Sequence, residues 1–335
     1  MKAVVMTAPG GVDNLHVEEL AEPQLATPTQ IKVQLYAAGI NPIDTKVRSR
    51  GVFFDNGLPA VLGCDGAGVV TDVGDEVTQF KTGDKVWFCH GGLGREQGNY
   101  AQAKVIEANE ACAMPRNLDF VHAAAGPLVL LTAWEALFER AQLTAGQTVL
   151  IHAGAGGVGH VAIQLAKQRG VRVATTVGSQ EKADFVRELG AELVIPYREQ
   201  NFVDAINDWT DGQGVDAVFD TVGPQVFQES IPAVAHYGSL VTLLDPGKDI
   251  DWKEARTRNL RFAFELMLTP MLRDLPQARA HQIDILKSCK RMIENDQLLL
   301  HVAQVLPLEQ AAQAHSLIEQ GRTQGKIVLQ IVEPK

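Results

Sequence analysis

His152-Ala153-Gly154-Ala155-Gly156-Gly157-Val158-Gly159 is the stretch whose reading decides the fold class. Its glycines at 154, 156 and 159 have the spacing G-x-G-x-x-G, which alone is a weak signal. Its setting makes it a strong one. It grows out of a buried-type strand expected over 148–153 and opens a helical pattern over 158–169, with Val158, Val161, Ala162, Leu165 and Ala166 on one face and Gly170 as the stop. In a strand–turn–helix unit, Gly154 permits the tight turn, Gly156 lets the backbone approach a pyrophosphate, and Gly159 lets helix and strand pack closely. The peptide N–H groups from Ala155 through Gly157 and Val158 then open toward an anion at the helix start.

Outward from this turn, strand and helix alternate. The pattern gives strand 171–177, helix 179–189, strand 193–196, helix 201–209, strand 217–222, helix 225–235 and strand 239–244. Such alternation specifies a parallel, doubly wound sheet. The second strand of a NAD-binding unit usually ends in an acid that bonds the ribose hydroxyls. Here it ends Val177-Gly178-Ser179-Gln180-Glu181-Lys182, with Glu181 already inside the next helix. Ser179 is a good helix N-cap, and Lys182 places a cation in the first helical turn, a position that suits a bound 2′-phosphate. The expected cofactor is NADPH rather than NADH.

The first third of the chain reads as β: Ala3-Val4-Val5-Met6, Ile31-Lys32-Val33-Gln34-Leu35-Tyr36, Ala67-Gly68-Val69-Val70 and Lys85-Val86-Trp87-Phe88, separated by turn residues. The tail carries helical patterns over 277–294 and 308–319 and ends in the strand-like Lys326-Ile327-Val328-Leu329-Gln330-Ile331. The fold class is therefore α/β, with a doubly wound domain beside a β-rich one and a small-molecule cleft expected between them. A chain of 335 residues is long enough for both. The net charge of −10 argues against nucleic acid or an anionic membrane as a general partner. No apolar run is long enough to span a bilayer, and the start, Met1-Lys2-Ala3-Val4-Val5-Met6, is strand-like rather than a signal peptide. Cys64, Cys89, Cys112 and Cys289 are scattered with no C-x-x-C, as expected of reduced thiols in a cytoplasmic protein.

With these motifs the chain resembles the medium-chain dehydrogenase/reductase superfamily, and within it the zinc-free quinone oxidoreductase branch. The likeness runs from Met1-Lys2-Ala3 through Ala38-Gly39-Ile40-Asn41-Pro42-Ile43-Asp44, Gly63-Cys64-Asp65-Gly66-Ala67-Gly68 and Leu131-Thr132-Ala133-Trp134 to Gly325-Lys326-Ile327-Val328-Leu329. It implies a GroES-like catalytic domain from 1–123 and 269–335 and a Rossmann domain from 124–268. Zinc alcohol dehydrogenases of the superfamily hold their metal with Cys, His and Cys. Those positions here are Asn41, Cys64 and about Leu128, a set unable to supply the ligands of catalytic zinc. The four-cysteine lobe of the structural zinc is absent too, leaving the short segment from His90 to Tyr100. No metal site is expected, and a rearranged one from Cys64, His90 and an acid is the weaker alternative.

The resemblance implies NADPH-dependent hydride transfer to a small conjugated acceptor, a quinone or α,β-unsaturated carbonyl that spreads the incoming charge itself. It makes Asn41 and Thr132 the catalytic-site residues, and Tyr197 a contact on the adenosine side with Lys182. Lys326 either touches the cofactor or pairs with a loop acid. Phe53 and Phe54 either line the substrate pocket or pack in the core. Cys64 is either a buried filler or a thiol exposed to electrophilic quinones. Asp44 and Asp65 are expected to support loops, and His90, His152 and His160 to be packed or surface residues. Two other functions stand beside this one. An enoyl-thioester or alkenal reductase would use the same scaffold, with Arg256, Arg258 and Arg261 as a basic patch for coenzyme A. A non-catalytic NADPH- or RNA-binding protein would not be an enzyme. The strand-like Leu260-Arg261-Phe262-Ala263-Phe264-Glu265 is expected to pair across a homodimer.

Overall fold

The computed structural model, which describes residues 1–332, divides into two units: Met1–Leu128 with the stretch from Leu268 on, and Val129–Met267.

In the second unit the short apolar runs become a six-stranded parallel sheet. Its order is Leu193–Pro196, Arg172–Val177, Thr148–Ile151, Val215–Asp220, Val234–Thr242 and Arg261–Phe264. Both faces of its central strands are covered, which is why these strands are continuously apolar rather than alternating. Leu150, Ile195, Ile206, Val218 and Leu240 meet in one fully buried core. The chain order reverses beside Thr148–Ile151, the strand that feeds the glycine turn, and such a switch point is where doubly wound sheets bind ligands. Its helices include Gly157–Gln168, Gln180–Leu189, Phe202–Trp209 and Pro224–Ser230. Several expected boundaries move. The segment expected as helix 225–235 ends at Ser230, and Ile231–Ala233 continues as a 3-10 turn around Pro232, which has no N–H to extend an α-helix. The strands expected over 217–222 and 239–244 begin earlier, at Val215 and Val234.

The first unit is β-rich. One sheet runs Val302–Pro307, Lys326–Gln330, Gln30–Gly39, Asp65–Val73, Lys85–Cys89 and Cys112–Ala113, with Ala103–Glu107 also paired to Gln30–Gly39. A smaller sheet joins Leu15–Glu19, Lys2–Met6 and Ala60–Val61. In Gln30–Gly39 the buried residues Ile31, Val33 and Leu35 alternate with partly or fully exposed Lys32 and Gln34, as for a sheet with one wet face. Across its far end the register sets Val328 against Gly39, Gly39 against Asp65, and Asp65 against Cys89. Gly39 has no substitute there, because a Cβ would stand 2.2 Å from the carbonyl oxygen of Ala124.

The glycine turn gives a test of its own geometry. A Cβ on Gly159 would lie 2.4 Å from the Ala153 oxygen and 2.7 Å from Gly154 Cα, both backbone atoms, whereas one on Gly156 meets only the Ala153 oxygen at 3.2 Å. Thermal denaturation is expected to show Gly159→Ala destabilised by about 2 kcal/mol or more, and Gly156→Ala by about 1 kcal/mol or less. Equal losses would mean that the close approach at 159 does not constrain the turn.

Candidate active site

In the second unit, His152 anchors the turn. Ser230 Oγ gives its proton to the Val226 oxygen (2.6 Å), so His152 Nε2–H donates to Ser230 Oγ (2.9 Å), and Nδ1 accepts from Thr176 Oγ1 (3.2 Å). Burial pushes the imidazole down to about 3, so it stays neutral. The backbone then enters the left-handed region at Ala153 (φ 51°), and Gly154 passes so close to Thr175 that a Cβ would meet its Oγ1 at 2.0 Å. Gly156 is the N-cap of Gly157–Gln168, and the helix bonding begins with His160 N–H to the Gly156 oxygen (3.1 Å). The first helical N–H groups, among them those of Gly157, Val158 and Gly159, therefore carry the positive end of the helix dipole. This cradle fits a pyrophosphate.

The adenosine end is built from the next βα unit. Ser179 caps Gln180–Leu189, its Oγ accepting from Lys182 N–H (3.3 Å). Tyr197 leaves the neighbouring strand half exposed, and a Cβ on Gly178 would stand 2.9 Å from its hydroxyl. The Arg198 guanidinium lies 5.9 Å from the Tyr197 ring, adding a cation that the sequence reading did not single out. The strand Arg172–Val177 ends with no acid, as its sequence shows. An acid does close Val215–Asp220, but Asp220 accepts the N–H groups of Val222 and Gly223 and the Thr242 hydroxyl, so it holds its own loop. Thr132 is buried in this unit on the helix Pro127–Trp134. One turn on, buried Glu135 shares a hydrogen bond with Glu265, whose carboxyl is raised to about 9 by burial and by the Glu135 charge, with Arg140 Nε 3.2 Å away.

The first unit gathers Asn41, Cys64 and Lys326 at the end of its sheet. Asn41 precedes the helix Pro42–Arg50, and its N–H is accepted by Asp44 Oδ2 (2.8 Å) in a capping-box arrangement. Its side-chain amide is gripped at both ends: Nδ2 donates to Asp65 Oδ2 (2.9 Å), and Oδ1 accepts from the Lys326 ammonium. Lys326 Nζ also donates to the Ile40 oxygen (2.8 Å) and lies 3.8 Å from Asp65 Oδ2. Of the two roles expected of Lys326, the geometry thus displays the pairing with an acid. Asp65 Oδ1 accepts the Leu128 N–H (2.8 Å), so the leucine at a former ligand position contributes its backbone. All of these groups are buried. Burial raises Asp65 and lowers Lys326. Asp44 is pushed up to about 7 by burial, although it accepts from Asn41 and from Tyr100 Oη (3.0 Å). Tyr100 Oη in turn meets His315 Nε2 (3.2 Å). Asp44 and Asp65 do support the loop, as expected. Tyr100 and His315 were not legible as members of this network.

Cys64 is fully buried, and a thiol–thiol hydrogen bond to Cys89 followed by burial pushes it well above its usual value. The Cys89 thiol also donates to Asp65. The filler reading of Cys64 is the one this environment supports. Where a structural-zinc lobe would stand, Lys104 Nζ donates to the oxygens of His90 and Gln97 (both 2.6 Å), clamping the two ends of the short loop, and burial lowers it to about 7. His90 is packed, with Nε2 2.8 Å from Glu110 Oε2, and Glu110 Oε1 lies 2.8 Å from Arg279 Nε. Phe53 is half exposed and Phe54 lies under the Arg95 guanidinium at 4.8 Å, so neither is a core residue of the usual kind. Among the described residues no group of three or more His, Cys, Asp and Glu is placed to hold a metal ion.

Comparison with known proteins finds two family models along the chain. Residues 27–116 match the alcohol dehydrogenase GroES-like domain, and 189–329 match the zinc-binding dehydrogenase model. A quinone oxidoreductase of Pseudomonas aeruginosa is 34% identical over 331 residues, covering 98% of this chain and 99% of the relative. A 2-haloacrylate reductase of Burkholderia sp is 32% identical, covering 98% of each chain. The crystal structure of Escherichia coli quinone oxidoreductase complexed with NADPH superposes with a TM-score of 0.87 at 29% identity, over 99% of this chain and 100% of the other.

Two measurements test the electrostatics. Asp44 holds its proton up to about 7 in the folded chain but only to about 4 when unfolded, so its contribution to stability is complete below about pH 4 and is lost as pH rises through about 7. Urea titrations across that window are expected to show a shallower fall in stability for Asp44→Asn than for the parent; parallel curves would contradict the raised value. Separately, iodoacetamide at about pH 7.5 is expected to leave Cys64 unmodified in the native protein and to alkylate it in urea, as read by peptide mass spectrometry.

Proposed function

Because the chain belongs to the quinone oxidoreductase branch of the medium-chain dehydrogenase/reductase superfamily, we propose that it is an NADPH-dependent reductase of quinones and other conjugated carbonyl acceptors, working without zinc. The observation that carries the zinc-free part is the state of Asn41. At the position of the first zinc ligand stands an amide whose oxygen accepts from an ammonium, and Leu128 offers a backbone N–H to an acid rather than a donor to a metal. The charge of Lys326 stands where a ligand set would have to receive a cation.

NADPH, when bound, supplies a hydride from its nicotinamide ring. The residues from Gly154 to Gly159 hold the pyrophosphate on the helix N-terminus. Ser179, Lys182 and Tyr197, joined by Arg198, recognise the 2′-phosphate in place of the missing strand-end acid. Thr132 is assigned to the nicotinamide side. Asn41 donates an N–H to the acceptor oxygen as charge develops there. Half-exposed Phe53 and partly buried Phe54 offer apolar surface to a flat acceptor, with Cys64 as buried packing. A quinone delocalises the incoming charge, so a few aligned donors replace the Lewis acid.

Activated alkenes form a second acceptor class, supported by the likeness to a 2-haloacrylate reductase. A coenzyme A ester is less well supported, since Arg258 is tied to Glu254 (2.6 Å) and to the Val234 oxygen (3.0 Å), leaving Arg256 and Arg261 as the exposed arginines of that patch. A non-catalytic RNA-binding role is opposed by the net charge of −10. A homodimer belongs to the proposal: Arg261–Phe264 is the edge strand of its sheet, with Phe264 65% exposed. So does a cytoplasmic location, consistent with four free thiols. No helix among the described residues is long and apolar enough to cross a membrane.

Oxidation of NADPH and NADH should be followed against quinones, enones and simple aldehydes, with and without a chelator. The expected pattern is NADPH-dependent turnover of quinones and enones, unaffected by chelation. Lys182→Ala should raise KM for NADPH about tenfold and leave KM for NADH unchanged. Preference for NADH, or activity lost with the metal, would overturn the proposal.

A further inference from the structure

We infer that Lys326 is a positioning residue that acts through Asn41, fixing and polarising its amide so that one Nδ2–H is presented to the acceptor oxygen. This rests on the reductase reading above. An Asn side chain has one oxygen acceptor and two N–H donors, and its two ends are easily exchanged. Here the ends are distinguished by charge. Lys326 can only donate, so the atom it meets must be Oδ1; Asp65, whose Oδ1 is occupied by the Leu128 N–H, accepts with Oδ2, so the atom it meets must be Nδ2. The amide has one orientation, and the second Nδ2–H is left over once Asp65 has taken the first.

The sheet register makes this arrangement rigid. Lys326 opens the strand that pairs through Val328 with Gly39, Asp65 stands opposite Gly39, and Asn41 follows two residues after it. Three backbone segments far apart in the chain therefore converge on one amide. Lys326 is additionally pinned by the Ile40 oxygen at 2.8 Å, and Lys326, Asp65 and Asn41 are all buried. Away from water, a cation on the carbonyl oxygen draws electron density through the amide and strengthens the opposite N–H as a donor. The charge of a buried ammonium thus reaches the reacting oxygen through a neutral side chain. Because the donor is oriented before the acceptor arrives, no reorganisation is needed as charge develops.

The test uses Lys326→Met, Lys326→Arg and the charge-balanced double variant Asp65→Asn with Lys326→Met, each first shown to be folded by circular dichroism. In Lys326→Met, kcat should fall about tenfold or more with KM for NADPH within about twofold of the parent, and the loss should be larger for enones, which localise charge on one oxygen, than for quinones. Lys326→Arg should recover most of the rate. The double variant, which removes both charges together, should keep the low kcat even where the single variant is unstable. A raised KM for NADPH with kcat intact would make Lys326 a cofactor ligand and overturn the inference. An equal loss for every acceptor, or none, would reduce it to an internal ion pair. If the parent protein reduces neither quinones nor enones, the reductase reading itself fails, an outcome distinct from these.

Discussion

A buried charge needs partners, and in the first unit that requirement falls on Lys326. Removing an ammonium from water is costly unless hydrogen bonds and an opposite charge replace the solvent. Lys326 obtains Asn41 Oδ1, the Ile40 oxygen and the nearby carboxylate of Asp65. Each partner is then fixed by something else: Asp65 by the Leu128 N–H, and Asn41 by Asp44, which is held by Tyr100. The loop positions, the helix start at Pro42 and the geometry of the amide all follow from satisfying one cation away from water.

The second unit solves a different problem, the approach of a doubly charged group to backbone. Its answer uses peptide dipoles and the absence of side chains at Gly154, Gly156 and Gly159, and a neutral histidine bonded to Ser230 and Thr176 keeps the start of the turn in place. On the proposed function one unit would hold an anion without spending a side-chain charge at the turn, while the other keeps a charge inside. This division suits hydride transfer to acceptors that carry their own electron sink.

Much of this was legible in the sequence because it is local. The glycine spacing, the βα alternation and the missing acid after Val177 are properties of contiguous residues, and the strands and helices of the second unit appear within a few residues of where the pattern puts them. The shift at Pro232 came from a single residue outweighing apolar periodicity. Within the first unit the ligand-position substitutions at Asn41, Cys64 and Leu128 were readable by likeness to a family. What joins them was not. Nothing in the run Gly325-Lys326-Ile327 reports that its lysine lies on an amide 285 positions away, and no pattern announces that Lys104 closes a loop or that Tyr100 reaches His315. These contacts depend on sheet register, which hydrophobic alternation fixes only to within which face is buried.

The sequence distance between Lys326 and Asn41 bears on the order in which the chain can mature. The second unit is contiguous, whereas the first is assembled from both sides of it. During synthesis the residues around Asn41, Asp44 and Asp65 emerge long before the strand that brings their counter-ion, and contacts of such long range form late. Until that strand docks, the acids remain hydrated and the amide is free to turn. A chain lacking residue 326 would lack the ammonium on Asn41. The strand Lys326–Gln330 thus carries the cation that the amide of Asn41 meets from a distant part of the chain.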